Sequence, residues 1–350
     1  MDLYIYNPDI ELLGIIDSYS SLRWRRRFFE PGEFELHCKA SAENLALLHE
    51  GNIIHRLDRQ EAAIVEGITI GVPDNGASEE ITATGRMGSS MLGRRVITPA
   101  INFSGTVENA MRKIITENRP PSNLVLGDAG GFAPTCTFQA TGKGALAVCM
   151  ALAKAAPLGF RCRLDVPGKQ WVFEVYDGID RTVTQHGRPY VLFSDEYENI
   201  TGAEYTLNTT GYSNYAYVAG QGEGSARIVV TVDQTGGGER RELWVDARDL
   251  QQDTEHNETL DAYKARLQQR GLEKLAEAAR SESFAAAAVD MGNFKYLTDW
   301  DLGDIVSFEK WGIRIDQRIT EVEEVDEGGV LTVTPVCGNP LPETLDLGDD

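Results

Sequence analysis

The chain has 350 residues, 42% apolar and 25% charged, with a net charge of −21. That length gives room for two or three domains with substantial cores. The acidic balance argues against a nucleic-acid-binding surface, which needs clustered Lys and Arg, and suits a soluble assembly component or a wall that repels DNA.

The first 95 residues read as β-rich. "DLYIY" and "LLGIID" flank the turn signal Asn7-Pro8-Asp9, and "SLRWRRRFFEPGEFELHC" follows. Pro31-Gly32 suits the two central positions of a type II turn, because Pro fixes φ and Gly accepts a positive φ. Around that turn Leu22, Trp24 and Phe28 share one face and Arg23, Arg25 and Arg27 the other, while Phe34, Leu36 and Cys38 alternate with Glu33, Glu35 and His37. The arginine row therefore faces a glutamate row as cross-strand pairs, each contributing roughly 0.2–1 kcal/mol. The alternative is a polyanion site. Ser41 to Glu50 is a short helix candidate, with Ser41 as N-cap and Gly51 as stop. Strand-like runs continue at "NIIHRL", "AAIVEGITIGV" and "EEITATGR".

After "LGRRVITP" the period changes. Val107, Ala110, Met111, Ile114 and Ile115 recur at helical spacing behind Ser104 or Thr106, and Arg119-Pro120-Pro121 ends that helix. A second helix covers about Gly144 to Ala156 and stops at Pro157. Strands surround both, at "NLVL", "FRCRLDV", "KQWVFEVYDG" and "PYVLF". The β pattern returns from Tyr197 to Val245. A long helix then spans about Glu258 to Ala279, with Leu260, Tyr263, Leu267 and Leu275 as its apolar stripe. Gly271 inside it costs about 1 kcal/mol relative to Ala, so a bend or close packing is expected there. Four further strands and a Pro- and acid-containing end, "NPLPETLDLGDD", complete the chain.

The five cysteines, Cys38, Cys136, Cys149, Cys162 and Cys337, are odd in number, widely spaced and form no CxxC. That argues against a zinc site or disulfide framework and for a reducing compartment. The N-terminus "MDLYIYNPDIELLGI" lacks a basic region and a long apolar core, and no apolar run approaches the ~20 residues of a membrane span.

Each candidate for chemistry has a plainer reading. Gly220, Gly222 and Gly224 give GxGxG followed by β-type residues, which fits a hairpin loop rather than a dinucleotide fingerprint. Gly142-Lys143-Gly144 lacks the P-loop's upstream glycine (Thr137 stands there) and its Ser or Thr, which leaves an anion-binding helix N-terminus as the alternative. His37, His49, His55, His186 and His256 lie in no ligand pattern. Asp195, Glu196, Glu198 and Glu204, and Asp246, Asp249 and Asp253, miss the EF-hand register, so solvated loops compete with a Ca²⁺ site. Asp299, Asp301 and Asp304 crowd together in "DWDLGDIV", either as a metal or acid/base cluster or as the solvated mouth of a strand. No orienting partner set accompanies them, which favours the strand mouth. No catalytic, cofactor-binding or metal-ligating residue is assigned, and no cofactor is expected.

Taken in order, "SLRWRRRFFEPGEFEL", "LLHEGNIIHR", "LGRRVI", "VYDGIDRT", "VLFSDEYENI", "NYAYVAG", "RRELWVDARDL", "LQQRGLEKLAE", "YLTDWDLGDIV" and "IRIDQRITEVEE" resemble the tail-hub proteins of long-tailed siphophages, minor tail proteins related to the baseplate hub of contractile phages. The resemblance runs from about residue 2 to residue 338. It implies an α+β, β-dominated fold with two small β-barrels, an α/β middle segment and one long helix. The divisions expected are 1–95 for the first barrel and 96–196 for the middle segment. The second, split barrel would take 197–250 and 284–338, with an inserted helix at 251–283 and a flexible acidic tail at 339–350. It also implies a non-enzymatic virion protein of a phage or prophage tail tip, forming a ring, as a rule a homotrimer. The ring would dock on the tail-tube protein or distal tail protein and seat tip or receptor-binding proteins. The tape-measure protein and then DNA would pass through it, with assembly in the host cytoplasm and no membrane insertion. Many relatives carry a C-terminal peptidase, hydrolase or lysozyme-like extension, and Asp350 precedes none, so wall-degrading activity would come from another protein. The alternatives are a tail-associated cell-wall hydrolase using two of the scattered carboxylates, and a carbohydrate-binding adhesion module suggested by 12 Tyr and 5 Trp.

Overall fold

The structure, a computed structural model, describes residues 1–350 except 73–78, 119, 120, 122, 255, 256, 289–292 and 339–350. The expected acidic tail and His256 therefore lie outside the described residues.

Seven antiparallel strands build the first block: β1 (Leu3–Tyr6), β2 (Leu12–Ile16), β3 (Ser21–Arg27), β4 (Glu33–Lys39), β5 (Ile53–His55), β6 (Ala62–Gly71) and β7 (Glu80–Met87), in the order β3-β4-β7-β6-β5-β1-β2. Every one of them gives at least one side chain to a single buried cluster, among them Leu3, Ile16, Trp24, Phe34, Ile54, Val65 and Ile81. Apart from the strands, the cluster's buried residues come only from the end of the helix α1 (Ala42–Leu47), so the sheet has to wrap around its own core. Ser41 caps α1 by accepting from Asn44 N at 3.1 Å. The helix is shorter than the sequence pattern suggests: the Asn52 side chain donates to the Leu47 carbonyl at 2.8 Å and turns the chain toward β5. The turn after β3 is also corrected. Gly32 does not adopt a positive φ, so the connection is not type II. Glycine is needed there for space, since a Cβ would stand 2.1 Å from the Arg25 carbonyl oxygen.

The middle segment is α/β, as read. A pair, β8 (Ile101–Thr106) with a later strand β10 (Thr135–Ala140), and a triplet, β9 (Leu124–Leu126), β11 (Gly159–Asp165) and β12 (Gln170–Tyr176), enclose α2 (Val107–Glu117) and α3 (Ala145–Ala155). Of the two possible caps for α2 it is Thr106, accepting from Asn109 N. Met111, Ile114, Cys149, Leu152, Phe160 and Phe173 share its core.

The second block comprises β13 (Leu192–Ser194), β14 (Ile200–Asn208) and four strands beyond an insertion. The insertion holds β15 (Tyr215–Ala219), β16 (Val229–Asp233), β17 (Glu242–Asp246) and the long helix α4 (Leu260–Glu277). The four strands are β18 (Ser281–Ala288), β19 (Ile305–Lys310), β20 (Ile313–Glu327) and β21 (Val330–Gly338). Ladders run β13-β19-β20-β21-β18-β14 around a core that includes Phe193, Phe284, Trp300, Phe308 and Val322. Among the described residues no ladder joins β13 to β14. The Asn199 carboxamide spans that gap instead, donating to the Leu192 carbonyl and accepting from Ser194 N, both at 2.9 Å.

Residues 215–246, grouped at sequence level with the second block, pair only with one another among the described residues. Their inner face, Ala216, Val218, Val232 and Val245, packs on Tyr263 and Leu267 of α4. The insertion is thus three strands and a helix rather than a helix alone. Gly271 marks close packing: a Cβ would sit 2.6 Å from Val232 Cγ2 and 2.7 Å from Val218 Cγ2.

The two β-rich blocks meet directly, because β3 pairs with β4 on one edge and with β20 on the other. Since β3 has only two edges, β2 finds no partner there. No ladder among the described residues closes the first block into a ring, and one continuous path runs from β14 to β2.

Candidate functional site: a charged seam between the β-rich blocks

Alternation along β3 sends Arg23, Arg25 and Arg27 to one face and Leu22, Trp24 and Arg26 to the other. On the outer face the sequence reading anticipated the glutamates of β4. The structure adds a second row from β20, almost 300 residues away. Arg25 reaches Glu33 and Glu323, both at 2.7 Å, and Glu321 at 3.2 Å. Arg27 reaches Glu321 at 2.9 Å and Glu33 at 3.1 Å. Arg23, half exposed, meets Glu323 at 3.3 Å. The "RWRRR" run is a strand face held between two rows of carboxylates, which takes up the cations a polyanion site would need.

On the inner face Arg26 is buried. It contacts Glu61 at 3.0 Å, Asp301 at 2.7 Å and the Tyr296 hydroxyl at 2.7 Å. Glu324 of β20, 1% exposed, accepts from Arg56 Nη1 at 2.9 Å and from Arg59 through both Nε, at 2.9 Å, and Nη2. Asp58 binds the same two arginines at 3.0 and 2.8 Å. Arg56 lies over Trp24 and Arg59 over Tyr296, with guanidinium carbons 5.7 and 5.1 Å from the ring centroids. Tyr19 donates to Asp326 at 2.7 Å.

Burial alone would push the Glu61 carboxyl up, but the charges of Arg26 and Arg161 outweigh it and hold that carboxyl below its ordinary value. Burial likewise opposes the ionised form of Asp58, and hydrogen bonding and charge from Arg56, with the charge of Arg59, bring its carboxyl below the usual range. Apart from Asp326, which accepts from Tyr19, each carboxylate of the seam faces at least one guanidinium. Such an arrangement fastens two bodies and fixes their angle, because removing one member leaves a charge buried without its counter-ion.

The three clustered aspartates diverge. Asp304 is buried, not at a solvated mouth: it accepts from Ile179 N at 2.7 Å, Arg181 Nε at 2.8 Å and Asp301 N at 3.1 Å. Asp301 turns to Arg26, and Asp299 accepts from Lys295 N at 2.7 Å. Among the described residues no three His, Cys, Asp or Glu side chains converge to hold a metal. The Gly220–Gly224 stretch is the loop between β15 and β16; Gly222 and Gly224 take positive φ, and a Cβ at Gly220 would stand 2.3 Å from the Tyr263 hydroxyl. Ahead of α3, Ala145 N donates to the Arg95 carbonyl and Ile97 N to that of Lys143, so the loop is tied to its neighbour.

His37 sits between Glu35 and Glu80, and His55 bonds to the Arg59 carbonyl, while His49 and His186 are exposed. Asp195 pairs with Lys310, Asp249 with Arg270, and Asp246 with Arg227 and Arg248, whereas Glu196 and Glu198 are exposed. Glu204 accepts from the Thr206 hydroxyl and Asp253 from Asn102. All five cysteines are buried and unpaired.

Sequence reasoning missed Arg56, Arg59, Glu61 and Glu324. Only Glu324, a charged residue at an inward position of β20, left a signal; Arg56, Arg59 and Glu61 lie in the connection between β5 and β6.

The fold is that of three solved tail proteins. The 43 kDa tail protein of prophage MuSo2 from Shewanella oneidensis matches with a TM-score of 0.61 at 12% identity, covering 97% of this chain and 99% of that one. The prophage tail protein gp18 from Listeria monocytogenes gives 0.58 at 13%, covering 97% and 95%. A tail protein from Neisseria meningitidis gives 0.58 at 14%, covering 96% of each chain. The chain matches no curated protein. Residues 2–339 match the description "Siphovirus ReqiPepy6 Gp37-like protein". A match across nearly the whole chain places it in that family of siphovirus proteins, and its fold is that of phage tail proteins.

Proposed function

We propose that the chain is a structural, non-enzymatic subunit of a siphophage tail tip, and that copies of it close into a ring, a homotrimer, through their two β-rich blocks. The ring joins the tail-tube or distal tail ring to the tip proteins, and the tape measure and then DNA pass through its centre. Residues 1–95 and the strands of 191–208 and 281–338 are the two ring-forming units, the middle segment braces them, and the insertion lies outside them. Assembly takes place in the host cytoplasm.

The observation that carries this reading is the edge of the long sheet. β2 is its terminal strand and exposes Leu12 (54%), Leu13 (46%) and Ile15 (42%). An unpaired strand edge with apolar side chains invites strand pairing from another chain, and soluble proteins normally blunt it with charge or proline. The seam supports the reading too, because a ring of fixed geometry needs two blocks locked at one angle. The charge of −21 suits a conduit that does not trap phosphates.

The test is sedimentation of the purified chain, alone and with its cognate tail-tube and distal tail proteins. Oligomers or a stable complex are expected, weakened by Leu13→Glu with the melting temperature unchanged. A strict monomer that binds neither partner overturns the proposal.

A further inference from the structure

The insertion has an uncovered face. One side of β15–β16–β17 packs on α4, and on the other Tyr217 stands between Thr231 of β16 and Trp244 of β17. Trp244 is 59% exposed. Tyr215 adjoins Tyr217, ring centroids 5.2 Å apart, and the Tyr217 hydroxyl donates to Glu242 at 3.3 Å. Alternation puts Asp246 on the same face as Trp244. From there an open groove of about 490 Å³ continues, lined by Gln221, Glu223, Arg227, Arg248 and Gln251 with the backbone of Gly222 and Gly224. Arg227 belongs to both surfaces: it lines the groove, its guanidinium carbon lies 5.8 Å from the Trp244 ring centroid, and it pairs with Asp246 at 2.5 Å. Arg248 holds the other Asp246 oxygen at 2.6 Å.

We propose that this face is a carbohydrate-binding site, with Trp244 as the stacking platform and the groove of Gln221, Arg227, Arg248 and Gln251 reading the hydroxyls of a neutral oligosaccharide. A pyranose offers an apolar C–H face and a rim of hydroxyls. The first needs a flat, exposed aromatic ring; the second needs planar donors and acceptors set to bond adjacent hydroxyls in pairs. Both stand side by side here. Two arginines would favour an anion, but Asp246 lies between them and neutralises much of that charge; hydrogen bonding from Arg248, then Arg227, holds its carboxyl down at about 2. The apolar part is one indole, one phenol ring and the Val229 side chain at the end of β16, smaller than the several hundred Å² that mark a protein-docking patch. The insertion leaves and rejoins the second block at paired residues, Asn208 and Ser281, so a ligand can be held there without disturbing the strands β14 and β18.

The chemistry stands on the insertion alone. That the sugar belongs to a bacterial surface rests on the tail-tip reading. The full chain is applied to an array of immobilised bacterial oligosaccharides and polysaccharides, with chito- and malto-oligosaccharides in titrations followed by tryptophan fluorescence. Binding of at least one neutral glycan is expected, reduced at least about tenfold by Trp244→Ala and partly retained by Trp244→Phe. Trp311→Ala, which removes a comparably exposed indole in the second block, leaves binding unchanged. Sedimentation reports separately on ring assembly, which Trp244→Ala leaves intact. Absence of binding to every glycan, or binding that survives Trp244→Ala and Arg248→Ala, overturns the proposal.

Discussion

Replacing Glu324 by Gln tests whether the inner ion pairs hold the two β-rich blocks together. Glu324 and Arg56 have side chains 1% exposed, and Arg59 is 5% exposed. Removing the carboxylate charge leaves two guanidinium groups buried. Breaking one partner of a buried pair costs about 3–5 kcal/mol. Asp58 still contacts both arginines, but its side chain is 52% exposed and its charge better screened, so the loss falls near the lower end of that range. At about 2.1 cal/mol/K per residue, unfolding of 350 residues as one unit has an entropy near 0.7 kcal/mol/K, so Glu324→Gln lowers the melting temperature by about 4–5 °C. Calorimetry measures this directly. The combined replacement Arg56→Met, Arg59→Leu, Glu324→Leu recovers most of the loss, because an apolar set of similar volume has no desolvation cost to offset. A Glu324→Gln melting temperature within about 1 °C of the parent, or a combined variant less stable than the single one, refutes the reasoning.

Three further outcomes are expected. Gly271→Val drives a branched side chain into Val232 and Val218 and destabilises the insertion by about 1–3 kcal/mol, visible as an earlier loss of helical circular dichroism. The Glu61 carboxyl has a folded value below its ordinary 4.5, so its contribution is present above that value and is lost as pH falls through the lower folded one; melting temperatures drop below about pH 4, and less steeply in Glu61→Gln. Burial pushes the Cys149 thiol up to about 12 and that of Cys337 well above its ordinary value, so a thiol reagent labels none of the five cysteines in the native chain and all five in denaturant.

What could be read from the sequence was local. The alternation in "RWRRR" and "EFELHC" gives the two faces of β3 and β4, because side-chain direction in a strand depends on position alone. The helices α2 and α4 are visible as 3.6-residue apolar stripes. The insertion was not legible as a unit. "NYAYVAG" and "RELWVD" have the same alternation as barrel strands, and what sets them apart is that Ala216, Val218 and Val245 face α4. Pro31-Gly32 misled for a related reason: glycine answered a close approach from the Arg25 carbonyl, a tertiary neighbour, and not a turn dihedral.

The seam was hidden by its own chemistry. A half-buried strand announces itself by apolar residues at every second position, and in "EVEEVDE" two of the inward positions are Glu324 and Asp326. Hydropathy cannot tell that strand's inside from its outside, and a one-residue slip against β3 would cost little apolar burial. Charge sets the register instead. In the observed pairing Glu321 lies opposite Arg27 and Glu323 opposite Arg25 on one face, while Glu324 and Asp326 meet Arg59, Arg56 and Tyr19 on the other. A slip by one would turn Glu324 to the outer face and leave Arg56 and Arg59 buried without it, which costs more than any apolar contact the strand could exchange. Two strands separated by almost 300 residues are thereby joined in one register, and the angle between their blocks follows from it. That rigidity is purchased with buried ion pairs that contribute more to specificity than to stability.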